Sequence, residues 1–287
     1  MLSNIPTVRW LKLLLVVLIS YGIFKYRDSL VDAAGYASSL RIELLLAAAF
    51  AFLSLMASSL RAKHIINEVG GLISTKESFE LSAVSASSIF SLVRVGSGIP
   101  LYYLKKTGTL LSHTVVYYIA DRFFNIMSFL ALGVVVLGKF SWVSGLLLAA
   151  GVMVTLVGLT YTRLLPDFWP FGMIKDFIED IRKLVTWRTA VWLSFLSLSN
   201  LMIDSFAISL LSGAGLNAVL AATVLGTAAM LVSPTPAGIG IYEPVVSTQL
   251  VSAGVVGGAA IGSVLTYRLF ALWVPALVGL YVLHRKL

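Results

Sequence analysis

The chain has 287 residues, of which 59% are apolar and 12% charged, with a mean hydropathy of +0.95. A soluble globular domain carries about 25% charged residues, so the composition describes an all-α polytopic membrane protein and leaves no length for a soluble catalytic domain. With no cysteine and three scattered histidines, His64, His113 and His284, a disulfide framework, a metal site and a cofactor are not expected; the net charge of +8 reflects the positive-inside rule, not a nucleic-acid partner.

About 20 apolar residues cross a bilayer, and full spans are predicted at 10–24, 42–60, 113–137, 141–162, 189–211 and 257–283. Met1 to Trp10 runs into the first apolar stretch without a small-residue cleavage site, so this span reads as retained. Two further stretches are interrupted: 78–110 at "RVGSGIP" and 216–254 at "SPTPAGIGIYEP". Each half is too short to cross, which predicts two re-entrant helical hairpins, with their irregular backbone buried in protein or lining a cavity. Residues 163–188 read as an amphipathic cytoplasmic connector. Ile174, Phe177, Ile178, Ile181, Leu184 and Val185 recur on one helical face, and Lys175, Asp176, Glu179, Asp180, Arg182 and Lys183 occupy the other. Trp10, Trp142, Trp169 and Trp187 fall near predicted interfaces.

Six crossings put both termini on one side. Of 21 basic residues, 14, Arg61 among them, fall on that side and 4 on the other; Arg94, Arg122 and Arg268 lie within or beside apolar segments. This predicts cytoplasmic N- and C-termini, with the first hairpin opening to the cytoplasm and the second outward.

The interrupted stretches resemble each other. "GIPLY" (98–102) aligns with "GIGIY" (238–242), and aligning Arg122 with Arg268 pairs Phe124 with Phe270 and Gly133 with Gly279. Two repeats of span, hairpin and span follow, about 42–137 and 189–283. Because the hairpins open oppositely, the repeats are expected to be inverted, a design in which broken segments mark a midplane substrate site.

Arg94, Asp121, Arg122, Asp204, Glu243 and Arg268 are the ionisable residues placed deep in or against apolar surroundings. Such groups face the bundle interior, pair with each other and mark a pathway. Asp121 and Asp204 read equally as helix-orienting ion pairs or coupling groups. Arginine matches phosphate oxygens bidentately, and half-helix N-termini favour anions. Arg94, Arg122 and Arg268 are therefore candidate ligands of an anionic headgroup. Gly96, Gly98, Pro236, Gly238, Gly240 and Tyr242 shape the broken elements beside them. Glu243 could pair with an arginine, bind a cationic headgroup or carry a proton.

"PAGIGIYE" (236–243) resembles the P-G-G-x-G-x-x-E signature of the lysylphosphatidylglycerol synthase transmembrane family, whose best-known members are the flippase half of the bacterial multiple-peptide-resistance proteins. "VRVGSGIPLYYLKK" (93–106), "DRFFN" (121–125) and "YRLFALWVPALVG" (267–279) resemble its other conserved segments. Ala237, Ser97 and Asn125 depart from the pattern. The resemblance implies a flippase in a prokaryotic plasma membrane that moves phospholipids, aminoacylated or not, or lipid-linked sugars between leaflets. The aminoacyl-transferase domain of longer members is not in this sequence. An intramembrane transferase using Glu243 as base is the alternative, and an accessory subunit of an envelope-biosynthesis complex a third. The small-residue face Gly254–Gly262 suits packing within the monomer or in a homodimer.

Overall fold

The computed structural model describes residues 35, 41–90, 98–136, 179–181, 183, 184, 186–232 and 235–286. The expected spans at 10–24 and 141–162, most of the 163–188 connector, and Arg94, Gly96, Ser97 and Pro234 lie outside the described residues.

Among the described residues every regular element is helical. A long helix α1 (Arg41–Glu68) leads to two short helices, α2 (Thr75–Ser87) and α3 (Gly98–Lys106), and a long α4 (Leu111–Val136). The same order then recurs: long α5 (Trp187–Ser212), shorter α6 (Leu216–Val232) and α7 (Tyr242–Ser252), and a long terminal helix built of α8 (Gly257–Arg268), a π-helical segment (Leu269–Trp273) and α9 (Val274–Lys286). Four of these helices are long and apolar enough to cross a membrane: Ile42–Glu68, Ser112–Val136, Trp187–Ser212 and Gly257–Lys286. Their outer faces carry exposed Leu45, Phe52, Trp192, Leu277 and Tyr281. Such a surface is costly in water and matched in lipid.

Local chemistry explains the boundaries. Ser74 and Glu77 form a capping box at the start of α2. Hydrogen bonds from the Ser74 backbone and hydroxyl hold the Glu77 carboxyl below the usual range. Gly213, in the left-handed region, ends α5. The π segment has its cause in Pro275. Proline has no N–H to offer the carbonyl four residues back, and the chain widens there, with Val274 N–H reaching Leu269 O. Helix α1 continues eight residues beyond the predicted span end at 60. Arg61 does not close the span, because it is buried and neutralised inside the bundle.

The long helices α1 and α5 pack on each other and run antiparallel, since Arg61 meets Ser197 while Ala47 and Ala51 share a core with Ala207, Ile208 and Leu211. Two cores result, at opposite ends of this pair. One gathers Ile65, Ile66 and Val69 of α1 with Leu81, Val84, Tyr103 and Leu104 of α2 and α3. The other gathers the start of α1 and the end of α5 with Val219, Val246 and Leu250 of α6 and α7.

Contacts repeat between the two halves. Helices α1 and α5 begin 146 positions apart, as do α4 and α8, the same shift that aligns Arg122 with Arg268. Ser59 of α1 bonds Ser78 of α2, and Ser205 of α5, 146 positions after Ser59, bonds Thr223 of α6, both at 2.9 Å. A methyl group added at Gly279 of α9 would strike Ala83 and Val84 of α2, while one added at Gly133 of α4 would lie 3.4 Å from Val224 of α6. Val84 and Val224 stand in the same 140-residue register as Gly98 and Gly238. Each half's final span therefore packs on the other half's first short helix. The one-turn segments Ser88–Phe90 and Pro236–Gly238 meet between them.

The connector reading needs one change. Ile181 and Leu184 do pack inward, but Asp180, placed on the polar face, is buried, 3.4 Å from His113 and 2.7 Å from Lys183.

Candidate functional site

A polar cavity of about 280 Å³ opens between α1, α2, α4 and α5, with Pro100 of α3 and Ala271 of the π segment completing its wall. Its side chains are unusual for the interior of an apolar bundle: two arginines (Arg61, Arg122), two carboxylates (Asp121, Asp204), two amides (Asn125, Asn200), two tyrosines (Tyr117, Tyr118) and four serines (Ser54, Ser58, Ser82, Ser85). Ser54, Ser58, Asp121 and Asn200 all lie well inside their spans, which places the cavity at membrane depth. Buried charges there are costly and mark pathways.

Asp121 is held by Arg61, whose Nε and Nη2 each lie 2.8 Å from Oδ1, while Nη1 donates to Ser197 Oγ at 3.2 Å. Asn125, one turn on, donates to Asp121 Oδ2 at 3.4 Å. The departure from the family pattern at 125 thus places a donor beside a carboxylate that a second acid would repel. Asn200 bridges to α1: Nδ2 donates to Ser58 Oγ at 2.9 Å, and Oδ1 accepts from Ser54. Asp204 accepts from the Tyr267 hydroxyl.

Arg122 is different. It is exposed to the cavity and stacks over Tyr118 of its own helix at 5.5 Å. Among the described residues no carboxylate pairs with it. An exposed guanidinium beside hydroxyls and amides can grip a phosphate or carboxylate through two parallel hydrogen bonds.

Arg268 and Glu243 lie outside this cavity wall, in a buried pair at the second broken element. Arg268 is 7% exposed. Its Nη1 donates to Glu243 Oε1 and its Nη2 to Ala237 O, both at 2.6 Å, and the guanidinium lies 4.9 Å over the Tyr242 ring. Glu243 Oε2 accepts from Gly240 N–H at 2.8 Å, at the start of α7, where an acid is favoured. The backbone needed for this is left-handed at Ala237 (φ 50), Gly238 (φ 65) and Gly240 (φ 81). The expectation that Arg122 and Arg268 share one site is therefore not met here: Arg122 faces the cavity, and Arg268 is folded into the 237–243 turn. Gly98 opens α3, whose Pro100 reaches the cavity wall, and Pro236 lies in the turn beside Ala237.

The model of the lysylphosphatidylglycerol synthase TM region matches residues 9–279. The chain belongs to this family. No curated protein matches it at significance. Membership makes the chain a multi-pass membrane protein of a lipid-related family. The family signature's first glycine falls at Ala237, a position with positive φ, so the glycine preference is conformational, and alanine keeps the same turn at some strain.

Sequence reasoning missed Arg61 and Asn200. By hydropathy Arg61 falls in a cytoplasmic loop, because a charge after an apolar run reads as the end of a span. Asn200 stands in "LSLSNLMID", a lone amide in mid-span, and that polarity was the available signal.

Proposed function

We propose that the chain is a lipid flippase whose cavity receives an anionic lipid headgroup. The single observation that carries this reading is the cavity itself: a charged and hydroxyl-rich space at membrane depth, with Arg122 directed into it and without a carboxylate partner among the described residues. Its volume of about 280 Å³ suits a headgroup with the acyl chains left in lipid. A phospholipid or lipid-linked sugar phosphate supplies the charge that Arg122 would bind.

The architecture supports transport. Long helix, two short helices and long helix occur twice, the first helices are antiparallel, and the aligned Gly279 and Gly133 each meet the other half's first short helix at the aligned Val84 and Val224. We read this as inverted repeats whose short helix pairs are re-entrant from opposite faces, with both termini cytoplasmic; such halves rock against each other to expose a central site to either side. The transferase reading has less support, because its base, Glu243, is engaged by Arg268 and by Gly240 N–H.

The test is reconstitution into liposomes carrying headgroup-labelled phosphatidylglycerol, aminoacylated phospholipid or lipid-linked sugar, with leaflet exposure followed over time. Faster movement of at least one of these than in protein-free vesicles is expected. Arg122→Ala and Glu243→Gln should each slow it at least about tenfold, the loss of one charge-assisted contact of ~1.4 kcal/mol or more. Unchanged movement for every lipid tried sinks the reading, and a covalently altered lipid detected by mass spectrometry puts the transferase in its place.

A further inference from the structure

The two halves make matching contacts, yet their matching arginines are in opposite conditions. Gly279 against Val84 has its counterpart in Gly133 against Val224, and Ser54 of α1 bonds Asn200, the residue 146 positions later and so its own equivalent in α5. Two equivalent residues that bond each other lie at the axis relating the halves. In a fully symmetric arrangement Arg122 and Arg268 would therefore see matching backbone, with Tyr103 in the register of Glu243. Instead, Arg122 is exposed in the cavity and stacks on Tyr118, while Arg268 is buried, bonded to Glu243 and Ala237 O, and stacked on Tyr242.

Two halves of like build in unlike arrangements give the fold a second conformation to move to, in which the arrangements are exchanged. Resting on the flippase reading, we propose that Arg122 and Arg268 bind the same lipid phosphate in turn, one in each conformation, and that the Glu243 carboxylate is an internal anion occupying the Arg268 site while the phosphate is at Arg122.

The geometry of the Arg268 site fits this substitution. Glu243 presents two oxygens, one to a guanidinium and one to a backbone N–H at the start of a helix. A phosphate diester presents two charged oxygens to the same pair of donors. Glu243 keeps the buried guanidinium paired, because an unpaired buried charge costs several kcal/mol. In the exchanged conformation Arg268 faces the cavity and Arg122 turns toward the first broken element while staying partly exposed, because Tyr103 stands there in the register of Glu243 and supplies no carboxylate. Tyr102 is the residue aligned with Tyr242, so Arg122 leaves Tyr118 and stacks on Tyr102, which is now exposed and faces Lys106. The cation at the cavity is exchanged while the cavity itself persists.

The chain has no cysteine, so spin labels can be placed on single introduced cysteines. One pair, Lys105→Cys with Ile119→Cys, reports α3 against α4; a second, Thr248→Cys with Leu269→Cys, reports α7 against the terminal helix. All four positions are exposed and lie outside both arginine sites. Distances are read in phosphate-free maltoside micelles, then with phosphatidylglycerol, then with soluble glycerol phosphate. Phosphatidylglycerol should shorten the first distance in part of the population and lengthen the second by a similar amount. Glu243→Gln should produce the same exchange before any lipid is added. A response to glycerol phosphate as well makes the phosphate the ligand; a response to the lipid alone makes it the whole lipid headgroup region; either supports the exchange.

Distances that stay fixed under every addition and in Glu243→Gln, or that shift in the same direction, overturn it. The same labelled proteins are assayed for lipid movement in liposomes, so the two readings fail separately. Movement with fixed distances removes the exchange and keeps the flippase, whereas exchange without movement removes the flippase and keeps the paired anion sites.

Discussion

At residue 237 the backbone is left-handed on an alanine, which costs about 1–2 kcal/mol relative to glycine. Its neighbour Gly238 has φ 65, and an added methyl would strike the Met230 side chain. The two positions therefore respond oppositely. Ala237→Gly relieves strain that outweighs the roughly 0.4–1 kcal/mol of added unfolded-state freedom, so thermal unfolding in detergent should show a Tm at or slightly above the parent. Gly238→Ala adds left-handed strain to overpacking and should cost about 3 kcal/mol; a Tm for Gly238→Ala equal to the parent would show that the turn is not built this way. The charged residues obey a related logic. Arg61→Leu or Asp121→Leu alone strands a buried charge and should cost about 3–5 kcal/mol, while the double variant should cost far less than the sum. Additive losses in that cycle would mean the pair contributes nothing jointly. Asp121, Arg122, Asp204, Glu243 and Arg268 were all legible as embedded charges. The pairing of Glu243 with an arginine was legible too, and Arg268 is that arginine; the partner of Asp121 was not, because it depends on helix register across 60 residues of sequence, as the Ser54–Asn200 contact does across 146.

At the scale of elements, apolar run length and the Gly/Pro interruptions located nearly every helix in the described residues, because a bilayer imposes length and internal hydrogen bonding on whatever crosses it. The misplaced end of α1 at 60 has a physical reason: hydropathy treats an arginine as solvent-facing, whereas here Asp121 and Ser197 replace the solvent. The glycine pair in the final spans was visible as an alignment without a role, and the structure supplies one. Gly279 lets α9 approach the backbone of α2 so closely that an added methyl would overlap the Ala83 carbonyl, whereas at Gly133 the nearest atom is Val224 Cγ1 at 3.4 Å. Gly279→Ala should therefore push the helices apart and cost about 1–3 kcal/mol. Gly133→Ala needs a shift of a few tenths of an ångström, and the gain in helix propensity, about 1 kcal/mol, should leave the Tm within a few degrees of the parent. Equal losses at both positions would contradict the difference in approach between the two contacts.

At the scale of the whole molecule, the cavity lies where the halves meet and is lined unevenly by them, mostly by α1, α2 and α4 of the first half and by Asn200, Asp204 and Ala271 of the second. Its formal charges balance, two arginines against two aspartates, but they are not evenly engaged. Arg61 and Asp121 satisfy each other, and Asp204 is held by Tyr267, which leaves Arg122 as the cation presented to a ligand among the described residues. That distribution predicts how much of the function depends on the guanidinium fork rather than on charge alone. Arg122→Lys keeps the positive charge and loses the bidentate geometry that matches two phosphate oxygens. Transport of an anionic lipid should therefore fall to an intermediate rate, slower than the parent by about tenfold, a contact worth ~1.4 kcal/mol, and faster than Arg122→Ala. Raising the salt concentration should slow Arg122→Lys more than the parent, because a point charge lacking fixed hydrogen bonds is more readily screened where the cavity opens to water. Leaflet exposure of labelled phosphatidylglycerol, measured for the three proteins at low and high salt, checks both expectations. Identical rates for the parent, the lysine and the alanine variants would place the headgroup away from Arg122 and shift the search for its ligand to Arg268.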